Sequence, residues 1–466
     1  MESYMEFDWV LEEGARLGAD YVSLLYQETV YESFTADNRN VREVSRRRAR
    51  GLGIQVLRGG GLGFASTSML DRDSVRRCLR KALATASAVG RVSETKLAEV
   101  EPVEDRAVSR FKIDPLEIDF QDKIDLVLEA NKAAFVDPRV KSATTRLAVH
   151  YDRRIVKSTE GADVEVRCFT TGLSHLAVAY EAGVMERVLH QRAEVAGWEF
   201  IQESDWGEFT ADLSRLACKA VGCKTPPPGS YTVVVDPEII GILLHEAFGH
   251  ASEGDLVASG ASILKDRLGE KVASELVTVV DEGVVEGGYF VPYDDEGVPK
   301  RRTVVVDKGV LRGFLTSRRA AAELGSEDTG NGRCQDFQNL PIVRQTNYYM
   351  LPGDMSFEEL LEDIGFGIYI RGVGATGGQV DTGMGTFTFS VGPSYMVRNG
   401  ELAEMVRGVV ISGFILDVLR EVDAVAEDLR IRTSVFGGCG KDGQMVRVGF
   451  GGPHIRVRRM TVGGGG

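Results

Sequence analysis

The sequence predicts an α+β chain of two domains: residues 1–224 mixed α/β, and residues 225–466 largely β but carrying one polar-marked helix. Three observations predict this. Helical and strand-like periods interleave as far as residue 221; Thr225-Pro226-Pro227-Pro228-Gly229 then forms a stiff connector that no helix can cross; and beyond it short apolar runs separated by glycine turns dominate. At 466 residues and 43% hydrophobic content, the chain is long enough for two or three sizeable cores.

The first element is an amphipathic helix over residues 6–18, with Phe7, Val10, Leu11 and Leu17 on one face. Strand-like runs follow at 20–27 and 29–36, and then a hairpin over 41–68 that turns at Gly59-Gly60-Gly61. Asp71 caps a helix reaching Val89. Residues 91–117 are charged, with Pro102 and Pro115, and read as a linker or covering loop. A helix over 118–135, β runs between 139 and 201, and a helix over 204–221 complete this half. The order helix, strands, helix thus occurs twice, without a residue-level repeat.

Past the prolines, Tyr231–Val235 reads as a buried strand. Val277–Val280, Thr303–Val306 and Leu311–Leu315 are short apolar runs, with Asp307-Lys308-Gly309 as a hairpin turn. Ile368–Val373, Thr386–Val391 and Ser394–Val397 continue the β pattern, and Asn399-Gly400 is a second turn signal. Residues 413–427 carry a helical apolar stripe, and the chain ends in glycine-rich β and loop from Ile431.

Composition narrows the function. With 55 Lys+Arg against 69 Asp+Glu, the net charge of −14 argues against nucleic acid or an anionic membrane as the main partner. The basic run Arg46-Arg-Arg-Ala-Arg50 reads as a solvated strand or loop face. Six cysteines without framework spacing suit a reducing compartment. The acidic N-terminus lacks a signal-peptide core, and no run of 18 apolar residues occurs, so a cytoplasmic location is expected.

Chemistry concentrates between strand Tyr231–Val235 and residue 255. Asp236-Pro237 is a helix start, and Ile239, Ile240, Leu243, Leu244 and Phe248 make one apolar face. That buried-looking helix carries His245, Glu246 and His250, two of only six histidines. Imidazole is a good zinc ligand, and an adjacent carboxylate is placed to take a proton from an activated water. Yet the histidines are five apart, not four. On a regular α-helix their rings would splay by roughly 140°. A π-type bulge absorbs one residue, and Gly249 makes a distorted turn cheap, so the helix is expected to be irregular or to end at Gly249.

A catalytic zinc usually has three protein ligands. Cys439, flanked by glycines in Phe436-Gly-Gly-Cys439-Gly-Lys441, is one candidate for the third; Glu253, Asp255 or another acidic residue is the other. Gly372-x-Gly374-x-x-Gly377 matches a dinucleotide fingerprint only formally, because no helical period follows to meet a pyrophosphate. The stretch 372–385, including Gly378 and Gln379, reads instead as a backbone-exposing loop that could pair with an extended peptide. Arg333, Arg344 and Asn347 are candidates to orient substrate or an oxyanion, or else to hold loops through surface pairs.

Several stretches together resemble the TldD/PmbA family of metalloproteases, in its metal-bearing TldD-like branch. They are His245-Glu-Ala-Phe-Gly-His250 with Glu253-Gly-Asp255, Lys271-Val-Ala-Ser274, Thr329-Gly-Asn-Gly-Arg333, Arg344-Gln-Thr-Asn347-Tyr-Tyr-Met-Leu-Pro-Gly353, Gly377-Gly-Gln-Val-Asp381, Cys439-Gly-Lys-Asp-Gly-Gln444 and Met460-Thr-Val-Gly-Gly464. The resemblance implies a zinc held by His245, His250 and Cys439, with Glu246 as general base, and peptide or unfolded-protein substrates. It also implies dimers, homomeric or with a metal-free paralogue, around an enclosed chamber. Phe248 and the Gly-Gly before Cys439 depart from the family pattern in detail, but all three ligand positions are kept. The alternative from another class is a non-catalytic scaffold whose metal only ties the helix to the tail; a fourth protein ligand would mark it.

Overall fold

In the computed structural model, residues 7–464 are described. The first half builds one large sheet. After helix α1 (Asp8–Arg16), strands β1 (Tyr21–Asp37), β2 (Asn40–Arg58) and β3 (Gly61–Thr67) form an antiparallel meander, closed by α2 (Arg72–Val89). Asp71 caps α2 by accepting from the Ser74 amide, and Gly59 and Gly60 make the β2–β3 turn with positive φ. The two runs expected at 20–27 and 29–36 are a single strand. The polar pair Gln27-Glu28 does not break it, because both side chains are buried against partners, Asp152 and Arg48.

Strand β4 (Glu104–Val108), helix α3 (Phe120–Ala133) and strands β5 (Val140–Ser158), β6 (Asp163–Glu181) and β7 (Val184–Glu194) follow, then α4 (Trp198–Glu203) and α5 (Trp206–Ala220). The sheet runs β3-β2-β1-β5-β6, and β7 and β4 share the outer edge of β6. β1 and β5 meet antiparallel, with Thr29 opposite Asp152, so the doubled helix–strands–helix order becomes two meanders joined through their first strands.

Two expectations need correction here. The presumed linker contains β4, because β7 covers only residues 171–181 of β6 and residues 163–167 accept Glu104–Val108 in parallel. The β region ends at 194, and Trp198, Phe200 and Ile201 of α4 turn into the core instead.

The second half packs two sheets around one helix. β8 (Gly229–Val235) lies inside a nine-stranded sheet of the described residues, between Ile455–Gly464 and Phe366–Ile370; strand Gly377–Asp381 is at one edge. A six-stranded sheet includes Val279–Glu282, Asn347–Met350 and Gly449–Gly452. Both turns read from the sequence close with paired positive φ values, 46° and 82° at Lys308-Gly309 and 49° and 81° at Asn399-Gly400. The helix expected over 413–427 covers only Ile415–Arg420. Val422–Val425 is a strand, because Val422 and Val425 find partners in Val457 and Ile455 of an adjacent strand. Gly372-x-Gly-x-x-Gly leads into strand Gly377–Asp381 and not into a helix. No helix among the described residues is long and apolar enough to cross a membrane.

Helix α6 (Pro237–Leu243) starts as expected, with the Asp236 carboxylate accepting from the Ile239 amide. Ile239, Ile240, Leu243, Leu244 and Phe248 are buried in the common core of both sheets. At Leu244 the helix widens into a π-turn, Leu244–Gly249, followed by a single 3-10 turn at His250–Ser252. The His250 amide donates to the His245 carbonyl, an i→i+5 bond that stacks residues five apart. Gln345, fully buried, donates from Nε2 to that same carbonyl at 3.0 Å. It lies so close that a Cβ on residue 249 would sit 2.2 Å from its Oε1.

Gly249→Ala should therefore push Gln345 off the His245 carbonyl and cost about 1–3 kcal/mol, read as a lowered Tm in scanning calorimetry; an unchanged Tm would mean that the turn expands freely. A second prediction concerns Glu296, buried beside Asp328. Burial, reinforced by that neighbouring carboxylate, pushes its carboxyl up from 4.5 to about 8. A carboxyl raised in the folded state contributes stability that is present in acid and lost as pH rises from about 4.5 through about 8. Wild-type Tm should fall across that window, and Glu296→Gln, which keeps an acceptor for the Arg318 amide, should flatten the fall. Identical pH slopes in the two proteins would refute the assignment.

Candidate metal centre

The π-turn puts His245 and His250 on one side, with ring centroids 5.2 Å apart. Cys439 approaches from the opposite end of the chain, on a short hairpin that pairs Cys439–Lys441 with Gln444–Val446. All three side chains are buried, and one potential ligand atom from each lies within 4.8 Å of the others. The Cys439 Sγ is 3.0 Å from His250 Nε2. Neither ring nitrogen of His245 has a hydrogen-bond partner, although both are buried. Leaving such atoms unsatisfied costs about 1–3 kcal/mol. An electron-pair acceptor shared by the trio would satisfy one of the two His245 nitrogens, so two imidazoles and a thiolate fit a zinc ion.

Charges around the trio favour ligation. Burial alone pushes the Cys439 thiol up, but the imidazoles of His245 and His250 more than offset this and bring it down to about 5. His250 Nδ1, the nitrogen not facing Cys439, donates to Glu253 Oε2 at 3.0 Å, which leaves Nε2 with its lone pair. Burial pushes the Glu253 carboxyl up, yet His250 and Lys441 hold it at about 2. Lys441 is itself enclosed, 2.9 Å from Glu253 Oε2 and 2.6 Å from Asp255 Oδ1.

Glu246 sits on the same π-turn but faces outward. Its side chain is 43% exposed, with Oε2 3.9 Å from His250 Nε2. It lines two clefts, one on each side of the turn. The larger, about 650 Å³, is bounded by His250, Ile242, Phe389 and the edge strand with Gly378. The smaller, about 340 Å³, contains His245 and Cys439 and is walled by Leu189 and Gln191 of β7 and by Phe436. The first half of the chain thus closes one side of the centre.

The remaining candidates divide. Gly378 and Gln379 lie on the edge strand and are exposed, with Gly378 in the larger cleft. Arg333, Arg344 and Asn347 are buried and turn to the chain itself. Arg333 donates to the Gln345 and Arg447 carbonyls, and Asn347 to those of Glu282, Gly283 and Tyr289. Arg344 donates to the Cys439 and Gln444 carbonyls, fixing both strands of the hairpin. They hold loops, but through buried bonds to backbone carbonyls and not through the surface pairs expected of them. Glu253 and Asp255, offered as third ligands, instead surround Lys441, whose part sequence reading missed. Its signal was there: it stands two residues from Cys439, on the same face of a strand.

The arrangement has counterparts. Sequence profiles described as PmbA/TldA metallopeptidase domain 1, central domain and C-terminal domain match residues 22–86, 113–221 and 228–464. A protein of Methanothermobacter thermautotrophicus named "Metalloprotease" is 38% identical over 425 residues, 91% of each chain. The "Zinc metalloprotease TldD homolog" of Saccharolobus solfataricus is 30% identical over 460 residues, 97% of this chain and 99% of that one. Among solved structures, TldE from Thermococcus kodakarensis shares the fold, with a TM-score of 0.80, 19% identity, and coverage of 98% of this chain and 99% of that one. Profiles spanning most of the sequence, with relatives of this identity and coverage, place the chain in the PmbA/TldD metallopeptidase family.

Proposed function

We propose that the protein hydrolyses peptide bonds in extended or unfolded peptides, with zinc held by His245, His250 and Cys439 and with Glu246 as general base. The observation that carries this reading is the buried trio with unpartnered His245 nitrogens, beside a glutamate that faces two clefts. Zinc, when bound, supplies Lewis acidity toward a water molecule and a carbonyl oxygen. Glu246 accepts the proton on the cleft side and returns it to the leaving amine. The Glu253 carboxylate holds the His250 ring in one tautomer.

Substrate enters the reading through backbone. Strand Gly377–Asp381 ends its sheet, so its outer edge offers N–H and C=O groups to an extended peptide beside the larger cleft. Pairing of that kind reads main chain and favours unfolded segments. A structural metal in a scaffold would call for a fourth protein ligand; the cluster among the described residues has three His, Cys, Asp or Glu members.

The same reading includes a division into domains at residue 225, a cytoplasmic location, and assembly as a homodimer or with a metal-free paralogue. Separate sheets before residue 195 and after 228 support the division, and the fold shared with TldE supports a partner of like architecture.

Glu246→Gln should retain one zinc per chain by elemental analysis while lowering turnover of casein-derived peptides at least ~10²-fold. Chelator treatment should abolish wild-type turnover. Activity of the variant within a few-fold of wild type would remove Glu246 from its role.

A further inference from the structure

Two contacts join the same two segments of the chain. Cys439 Sγ meets His250 Nε2 at 3.0 Å, and two residues further along the strand Lys441 Nζ meets Glu253 Oε2 at 2.9 Å. Alternate residues of a strand share a face, so Cys439 and Lys441 project together toward the turn that bears His250 and Glu253. Glu253 Oε2 also accepts from His250 Nδ1 and so belongs to both rungs. Lys441 is 6% exposed and Glu253 not at all, and Lys441 donates further to Asp255 and to the Val343 carbonyl. The hairpin they steady is rich in glycine, at 437, 438, 440 and 443, and such a segment has much conformational freedom to lose.

We propose that Lys441 and Glu253 are positioning residues, a buried ion pair that holds Cys439 and His250 in ligating position before metal arrives. This rests on the metal reading above. The pair sets the His250 tautomer and fixes the hairpin that carries Cys439 against the turn that carries His250. Without Lys441 the glycine-rich hairpin keeps its Arg344 clamp, but the thiolate loses its fixed distance from His250.

The test is metal affinity of the whole chain, measured by competition with a chelating dye, together with the absorption of the cobalt-substituted protein, whose thiolate charge-transfer band reports Cys439. Lys441→Met and, independently, Glu253→Gln should weaken zinc binding by about 10–100-fold and diminish that band. Two variants are used because either change could harm folding, which circular dichroism monitors. Affinity within about twofold of wild type with an intact band, in either folded variant, would overturn the proposal even if Tm fell, since a purely structural pair would lower Tm alone. A wild-type chain that binds neither zinc nor cobalt would sink the metal reading, and this inference with it.

Discussion

One backbone hydrogen bond, from the His250 amide to the His245 carbonyl, governs the geometry of this centre. With an ordinary i→i+4 ladder the two rings would point roughly 140° apart. The wider turn aligns them, and its His245 carbonyl, which accepts from the His250 amide, has a second acceptor position inside the core. Gln345 covers it, and does so only because position 249 has no side chain. His245, Gly249 and Gln345 therefore act as one device, although two lie on the helix and the third on a distant loop.

Around that turn the protein gathers charges that would each be costly to bury alone. Glu253, Lys441, Asp255 and His250 lie within hydrogen-bonding distance in a chain, so both carboxylates share the Lys441 ammonium and Glu253 also meets His250 Nδ1. Single removal from such a set strands a partner, and the penalty exceeds what the pair itself contributes. The imidazoles of His245 and His250, against the effect of burial, stabilise a thiolate at Cys439. Glu246, 3.9 Å from His250 Nε2, stays 43% exposed at the cleft wall, apart from the Lys441 contacts.

Local chemistry was legible from residues. The Asp236 cap, Pro237, the apolar stripe and Gly249 announced an interrupted helix, and paired turn residues announced the hairpins at 308–309 and 399–400. Less legible was anything decided by an open edge. Residues 104–108 become a strand because β7 leaves the start of β6 uncovered and residues 163–167 accept them, and Val422–Val425 leaves a helical stripe because a neighbouring strand accepts it. Arg333, Arg344 and Asn347 look like ligand-facing polar residues in one dimension. In three, they answer backbone carbonyls that no ladder reaches, and buried carbonyls demand donors.

By itself, then, the sequence determined what is local: two histidines and a glutamate within one turn, a spacing that forces the turn open, and a glycine that permits it. Spacing along a helix is a property of neighbours, and neighbours are written in order. Only the tertiary structure brings the trio together, since Cys439 and His250 are 189 positions apart along the chain. It also set the Glu253 carboxylate against the His250 ring and the Lys441 ammonium. Both outcomes depend on how two sheets and a glycine-rich hairpin pack, and packing joins residues whose distance along the chain carries no information about their distance in space.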